Sequence, residues 1–166
     1  MKIRPYRPDD LADIVALWRA CALTTPYNDP AEDIAFCRGS PHSALLVGEV
    51  DRKPVATAMV GHDGHRGYVY YLAVAPDRRS QGLGRQIMAA AEDWLRARGV
   101  PKLNIIIRET NADVQRFYER LGFAVTPRLM MGKFLDPKAA GTGGDGGEGG
   151  DGGAGRDGGR HDGAED

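Results

Sequence analysis

The stretch "GYVYYLAVAPDRRSQGLGRQIMAAAEDWLRARGVPKLNIIIR", Gly67 to Arg108, changes its periodicity twice. It opens on an aromatic and β-branched run, passes through the polar loop "DRRSQGLG" (Asp77 to Gly84), takes up helical spacing and ends on "KLNIIIR", Lys102 to Arg108. In the middle portion Ile87, Met88, Ala91, Trp94 and Leu95 fall on one helix face, Arg85, Glu92, Asp93 and Arg96 on the other, and Gly99 marks the stop. Strand, helix and strand in that order predict a parallel pairing with a right-handed crossover. The glycine-containing loop is therefore a strand-to-helix turn.

Upstream, Ile3 to Tyr6 reads as a first strand. Asp9 or Asp10 is positioned to cap a helix carrying Leu11, Ile14, Val15, Trp18 and Cys21 at helical spacing. In "PYNDPAEDIAFCRG" a second helix starts with Asp29 as cap and Pro30 in the first turn, and Gly39 stops it. "ALLVGEV" from Ala44 and "VATAMVG" from Val55 are strands joined by the short polar turn "DRKP", which predicts a hairpin. Downstream, Asn111 leads a helix through Leu121, and Phe123 to Thr126 and Leu129 to Leu135 are expected to close the sheet.

Composition sets the outer limits. From Ala139 to Asp166 the chain of 166 residues is mainly glycine with Asp and Glu, and so few apolar side chains cannot offset the entropy of ordering, about 1 to 2 kcal/mol per residue. That segment is expected to be a disordered tail behind one domain, residues 1–138. The whole chain has 22 basic and 23 acidic residues; the tail holds 2 and 7 of these, which leaves the domain mildly basic. A small polyanionic ligand suits that balance. Nucleic acid does not, because no Lys/Arg stripe with interleaved aromatics is present. The two cysteines, Cys21 and Cys37, have no CxxC spacing and no His cluster, so a reduced, cytoplasmic setting without bound metal is expected. The first residues, "MKIRPYRPDD", carry no apolar signal core, and no apolar run reaches membrane-spanning length, so no membrane association is expected.

The loop's chemistry narrows the ligand. A helix start exposes backbone N–H groups without intrahelical acceptors and the positive end of the dipole. Gly82 and Gly84 let the main chain approach a ligand closely, and Arg78, Arg79 and Arg85 add charge. A pyrophosphate is the natural guest. A P-loop would need a lysine after the second glycine, and a dinucleotide fingerprint a third glycine where Ile87 stands. The pattern Gln/Arg-x-x-Gly-x-Gly/Ala is met at every specified position by Arg79-Ser80-Gln81-Gly82-Leu83-Gly84.

With the preceding "YLAVAP" and the downstream "ETNADVQRFYERLGF", that hexapeptide resembles the GNAT acetyltransferase superfamily over about Met1 to Leu135. "PYNDP" at Pro26 and "DGHRG" at Asp63 resemble a bacterial subgroup of YpeA type. The resemblance implies an α/β (α+β) fold: a mixed, mostly antiparallel sheet of six to seven strands with a central parallel pair, and four helices. It also implies acetyl-CoA as co-substrate, no metal, a small-molecule or peptide amine as acceptor, and a monomer or homodimer. Leu72 and Val74 would offer backbone groups to the pantetheine arm. Arg79, Gln81, Gly82, Leu83, Gly84 and Arg85 would cradle the pyrophosphate, and Asn111 would reach the cofactor from the last helix. Tyr118, two turns on from Asn111, would also meet the cofactor and protonate the leaving thiolate as general acid.

The oxyanion would be held by a strand N–H near Leu72 to Val74. For the base, Glu109, His65 and water stay open. Superfamily members that acetylate protein N-termini commonly carry a glutamate where Ile106 stands here, which counts against that activity. Tyr27, Asn28, Asp29, His65 and Arg66 are candidates for the acceptor wall, with Asp29 alternatively a plain helix cap. Two other function classes stay open: an acyl-CoA-binding module without turnover, and an interaction protein acting through the acidic tail.

Overall fold

The computed structural model describes residues 1–26 and 28–135; the predicted tail, 139–166, lies outside the described residues. The elements run β1 (Lys2–Pro5), α1 (Leu11–Ala20), α2 (Pro30–Arg38), β2 (Ser43–Val50), β3 (Lys53–His62), β4 (Gly67–Val74), α3 (Leu83–Arg96), β5 (Leu103–Asn104) and α4 (Ala112–Glu119). Short 3-10 turns at Pro8–Asp10 and Pro76–Arg78 precede α1 and α3. The strands form one five-stranded sheet in the order β1-β2-β3-β4-β5. The first four pair antiparallel, and β5 pairs parallel with β4 through Gly67–Leu103 and Tyr68–Asn104.

Helices cover both faces, which is why β2 and β3 read as continuous apolar runs rather than alternating ones. One face carries α3 and α4, through Ile87, Met88, Ala91, Leu95 and Tyr118, against Leu46, Ala58, Val60 and Val69. The other carries α1 and α2, through Ile14, Leu17, Trp18, Ile34 and Cys37, against Leu45, Val47 and Ala73. Ile87 and Leu95 are each almost fully buried, and burying an aliphatic side chain of that size contributes about 1.5 to 3 kcal/mol.

Strand β4 departs from a regular strand at one place. Thr57 pairs with Ala73 and Met59 with Tyr70, so two steps on β3 face three on β4. The extra residue exchanges the two faces of the strand from that point on. Val69 packs on the α3 side, yet Leu72 and Val74 do so as well, while Tyr71 and Ala73 turn to the α1 side. Tyr71 itself adopts φ +49°, the left-handed region that costs a bulky residue about 1 to 3 kcal/mol.

The strand count falls below expectation. Lys102 to Arg108 pairs only at Leu103–Asn104 before leaving β4, and Phe123 to Thr126 and Leu129 to Leu135 form no strand. A closing strand needs a ladder to join, and two residues of β5 supply almost none. Val125, Leu129 and Met131 are consequently exposed, and the parallel pair is an edge of the described sheet rather than its centre.

Asp10 also departs from the expected capping role. It stands at the N-cap of α1 without a side-chain capping bond. Its carboxylate instead accepts from Arg4 Nη1 and Nη2 at 2.7 and 2.8 Å and from the Arg7 N–H at 2.7 Å. Arg4 Nε donates to Glu49 at 2.7 Å, so one buried guanidinium ties β1 to β2 and to the start of α1. The hydrogen bond from Arg4 holds the Asp10 carboxyl below its ordinary pKa of 3.8. A lowered carboxylate pKa stabilises the fold fully above that ordinary value, and the contribution is lost as pH falls through the folded-state pKa. Asp10→Asn should therefore cost about 3 to 5 kcal/mol at neutral pH and flatten the acid limb of a urea-unfolding series between about pH 5 and pH 2.

Candidate active site

Helix α3 starts at Leu83, two residues earlier than its apolar face alone indicates, so Leu83, Gly84 and Arg85 form its first turn. Gly82 is the N-cap, at φ +76°, and among the described residues no side chain caps the turn, whose own residues include no acid. The first bond back to the cap runs from Gln86 N to Gly82 O at 3.1 Å. The N–H groups before it are those that a helix start leaves without intrahelical partners. The two glycines play different parts. A Cβ on Gly82 would meet nothing within 4 Å, so its need is purely the left-handed backbone. On Gly84 a Cβ would lie 3.1 Å from Phe117 Cζ, so its bare backbone lets α4 close against the start of α3.

Leu83 is buried and anchors the turn, whereas Arg79, Gln81 and Arg85 are exposed around it. Arg78 pairs with its neighbour Asp77 at 3.5 Å. On β4, Ala75 N donates to Val55 O on β3 at 2.8 Å. Successive residues turn their main-chain groups to opposite sides, so those of Leu72 and Val74 face away from β3, toward the edge that β5 has already left.

Asn111 caps α4, its side-chain oxygen accepting from Val114 N at 3.3 Å, which leaves the amide NH2 unused by the cap. Tyr118, on the same helix, is 5% exposed and joins the cluster that Leu72 and Val74 pack against. Its ring sits edge-on to Phe117 and Phe123, with centroids at 5.1 and 5.4 Å. Burial pushes its phenol pKa up to about 12.

The remaining predicted residues are spread out. Glu109 lies in an exposed turn five residues past the end of β5, not at a strand end. Asp29 caps α2, its Oδ1 accepting from Ala31 N and Glu32 N at 2.7 and 3.3 Å, and Asn28 beside it is exposed. Tyr27 lies outside the described residues. His65 and Arg66 occupy the exposed β3–β4 turn, where the Asp63 carboxylate accepts from both their N–H groups. That turn adjoins Gly67, and the five residues from there to Leu72 span about 17 Å of strand.

Two side chains escape sequence reasoning. Cys21, at the end of α1, donates its thiol to Val74 O at 3.3 Å and receives a contact from Arg79 Nη2 at 4.0 Å, so it links the strand edge to the loop. Thr57, fully buried, accepts from Trp18 Nε1 and donates to Tyr71 O, both at 2.8 Å. Nothing local marks either contact, since each joins residues far apart in the chain.

The profile of the Acetyltransferase (GNAT) family matches residues 11–123, more than half the chain. The chain belongs to the GNAT acetyltransferase family. A protein of Yersinia pestis (strain Pestoides F) named acetyltransferase is 42% identical over 135 residues, covering 81% of this chain and 96% of the relative. Among solved structures, the aminoglycoside 6'-N-acetyltransferase AAC(6')-IG of Acinetobacter haemolyticus shares the GNAT fold at TM-score 0.69 and 18% identity, over 82% of this chain and all of that one. AAC(6')-Iy in complex with the bisubstrate analogue CoA-S-monomethyl-acetylneamine superposes at TM-score 0.69 and 19% identity, covering 80% of this chain and 97% of that chain. Among the described residues of this GNAT chain no group of three or more His, Cys, Asp or Glu could hold a metal ion, and no helix is long and apolar enough to cross a membrane.

The glycine at the head of α3 can be tested directly. Gly82→Ala should lower the unfolding free energy by about 1 to 2 kcal/mol through backbone strain alone, read by urea denaturation. Gly82→Asn should recover much of that loss, because Asn tolerates the left-handed region better than Ala does.

Proposed function

We propose that the protein is an N-acetyltransferase that moves the acetyl group of acetyl-CoA to a primary amine of a small molecule or peptide. The observation that carries this reading is the adjacency of an uncapped helical turn, Leu83 to Arg85, and a β4 edge at Leu72 and Val74 that no strand among the described residues covers. The donor set suits coenzyme A. Main-chain N–H groups following Gly82, with Arg79, Gln81 and Arg85 around them, fit a pyrophosphate. Apart from the Val74 carbonyl, which accepts the Cys21 thiol, the open edge of β4 fits the amides of a pantetheine arm. Asn111 keeps an amide NH2 for the cofactor while its oxygen caps α4.

Acetyl-CoA supplies an activated thioester when bound. The Leu72 N–H then favours the negative charge that develops on the carbonyl oxygen. Tyr118 holds its proton throughout the neutral range, because burial has raised its pKa, and is in the right state to donate to the departing sulfur. The same apolar surroundings raise the basicity of a thiolate beside it, which favours the transfer. Glu109, two residues before the Asn111 cap, takes the amine's proton directly or through water. The acceptor wall is drawn from Tyr27, Asn28 and Asp29 ahead of α2, with His65 and Arg66 reaching only an extended acceptor. The finer likeness to a YpeA-type subgroup rests on the two sequence segments at Pro26 and Asp63.

Calorimetry with CoA and acetyl-CoA, followed by a thiol-release screen over neamine, aliphatic diamines, amino acids and short peptides, tests the reading. Saturable acetyl-CoA binding and turnover of at least one amine are expected; no binding at millimolar acetyl-CoA overturns it. Tyr118→Phe should retain acetyl-CoA affinity and lose about 10² to 10⁴ in kcat. Binding without turnover of any amine would make the chain an acyl-CoA-binding module instead.

A further inference from the structure

Thr57 is a hydroxyl within the otherwise apolar run "VATAMV", and both it and Trp18 are completely buried. A buried hydroxyl is stable only with its bonds satisfied, and Thr57 uses both capacities, accepting from the Trp18 indole and donating to the Tyr71 carbonyl. Tyr71 is the residue at φ +49° within the β4 irregularity. Its ring stacks on Trp18 with centroids 3.9 Å apart and planes 11° from parallel. Its own hydroxyl donates to Asp33 on α2. Anchors from β3, α1 and α2 thus converge on the one residue of β4 that adopts the left-handed backbone.

That strain has a directional consequence. Without the inserted residue, the alternation of the strand would turn the Leu72 N–H toward β3 and into the ladder. With it, the N–H faces the open edge. We infer that Thr57, backed by Trp18, is a positioning residue for acyl transfer: its hydroxyl holds Tyr71 in the left-handed conformation that aims the Leu72 N–H at the acetyl carbonyl. The inference rests on the acetyltransferase reading above, and adds to it a residue that touches neither substrate.

The test compares Thr57→Val, which keeps the shape and removes both hydrogen bonds, with Thr57→Ser, which keeps the hydroxyl. Two readouts are needed. The Tyr71 amide-to-α-proton coupling, measured by NMR on tyrosine-labelled protein, reports its φ without any turnover. Steady-state thiol release, with acetyl-CoA and the best acceptor from the screen, separates kcat from KM. In Thr57→Val the coupling should move to an extended value and kcat should fall about 100-fold, as expected for a group displaced by about 1 Å, with KM for acetyl-CoA unchanged. Thr57→Ser should restore both. An unchanged coupling, a changed coupling with unchanged kcat, or a matching rise in KM for acetyl-CoA each overturns the inference while leaving the acetyltransferase reading intact. Wild-type protein without turnover on any amine would instead remove that reading and this inference with it. Should Thr57→Val fail to fold, Thr57→Ala lacks the same hydroxyl and carries the same comparison against Ser.

Discussion

One residue too many in β4, opposite Thr57 and Met59, governs how the two halves of the molecule meet. Ahead of it, Val69 faces α3; beyond it, Leu72 and Val74 face α3 while Tyr71 and Ala73 join Trp18 and Ile34 on the other side. A regular strand could not serve both helical layers with these residues, because a one-residue slip moves every later side chain to the opposite face. The insertion needs a residue in an unfavourable backbone region, and the molecule stabilises it through a hydroxyl, a stacked indole and a carboxylate rather than through a glycine.

The same insertion sets the relation between strand and loop. It gives the last residues of β4 an outward-facing main chain just before Pro76–Arg78 turns the chain into α3. The open strand edge, ending at Val74, and the uncapped helix start at Leu83 are thus joined by one short turn. Gly84 completes the arrangement by letting Phe117 approach, which brings the helix of Asn111 and Tyr118 onto the same side.

Much of this was legible in the sequence wherever the signal is local. Asp29, Pro30 and Gly39 delimit α2 through capping chemistry, and the apolar face of Ile87, Met88, Ala91 and Leu95 locates α3. The turn at Asp51 and Arg52 joins β2 to β3 as its polarity indicates. Legibility ends where pairing over distance decides. "KLNIIIR" has the composition of a long strand, but only Leu103 and Asn104 hold a register with β4, and the closing strands lose their template with it. Asp10 looks like a cap because caps are short-range, whereas its actual partner is a buried arginine from β1. Around the candidate site, the strand-to-helix turn and the position of Tyr118 on α4 were legible through glycine placement and helical spacing. Thr57 was not, since a threonine in a β run is an ordinary strand former, and its partners lie 39 residues before and 14 after it.

The bare first turn of α3 has an effect reaching beyond recognition. A helix start that carries its own Asp or Ser is stabilised whatever the solution contains; this one, with Gly82 in that place, has no cap side chain of its own to fill that role. Any anion that binds the folded turn and not the unfolded chain adds stability in proportion to the logarithm of its concentration above its dissociation constant. Under the proposed function, the stability of the folded protein is thereby linked to the supply of the coenzyme.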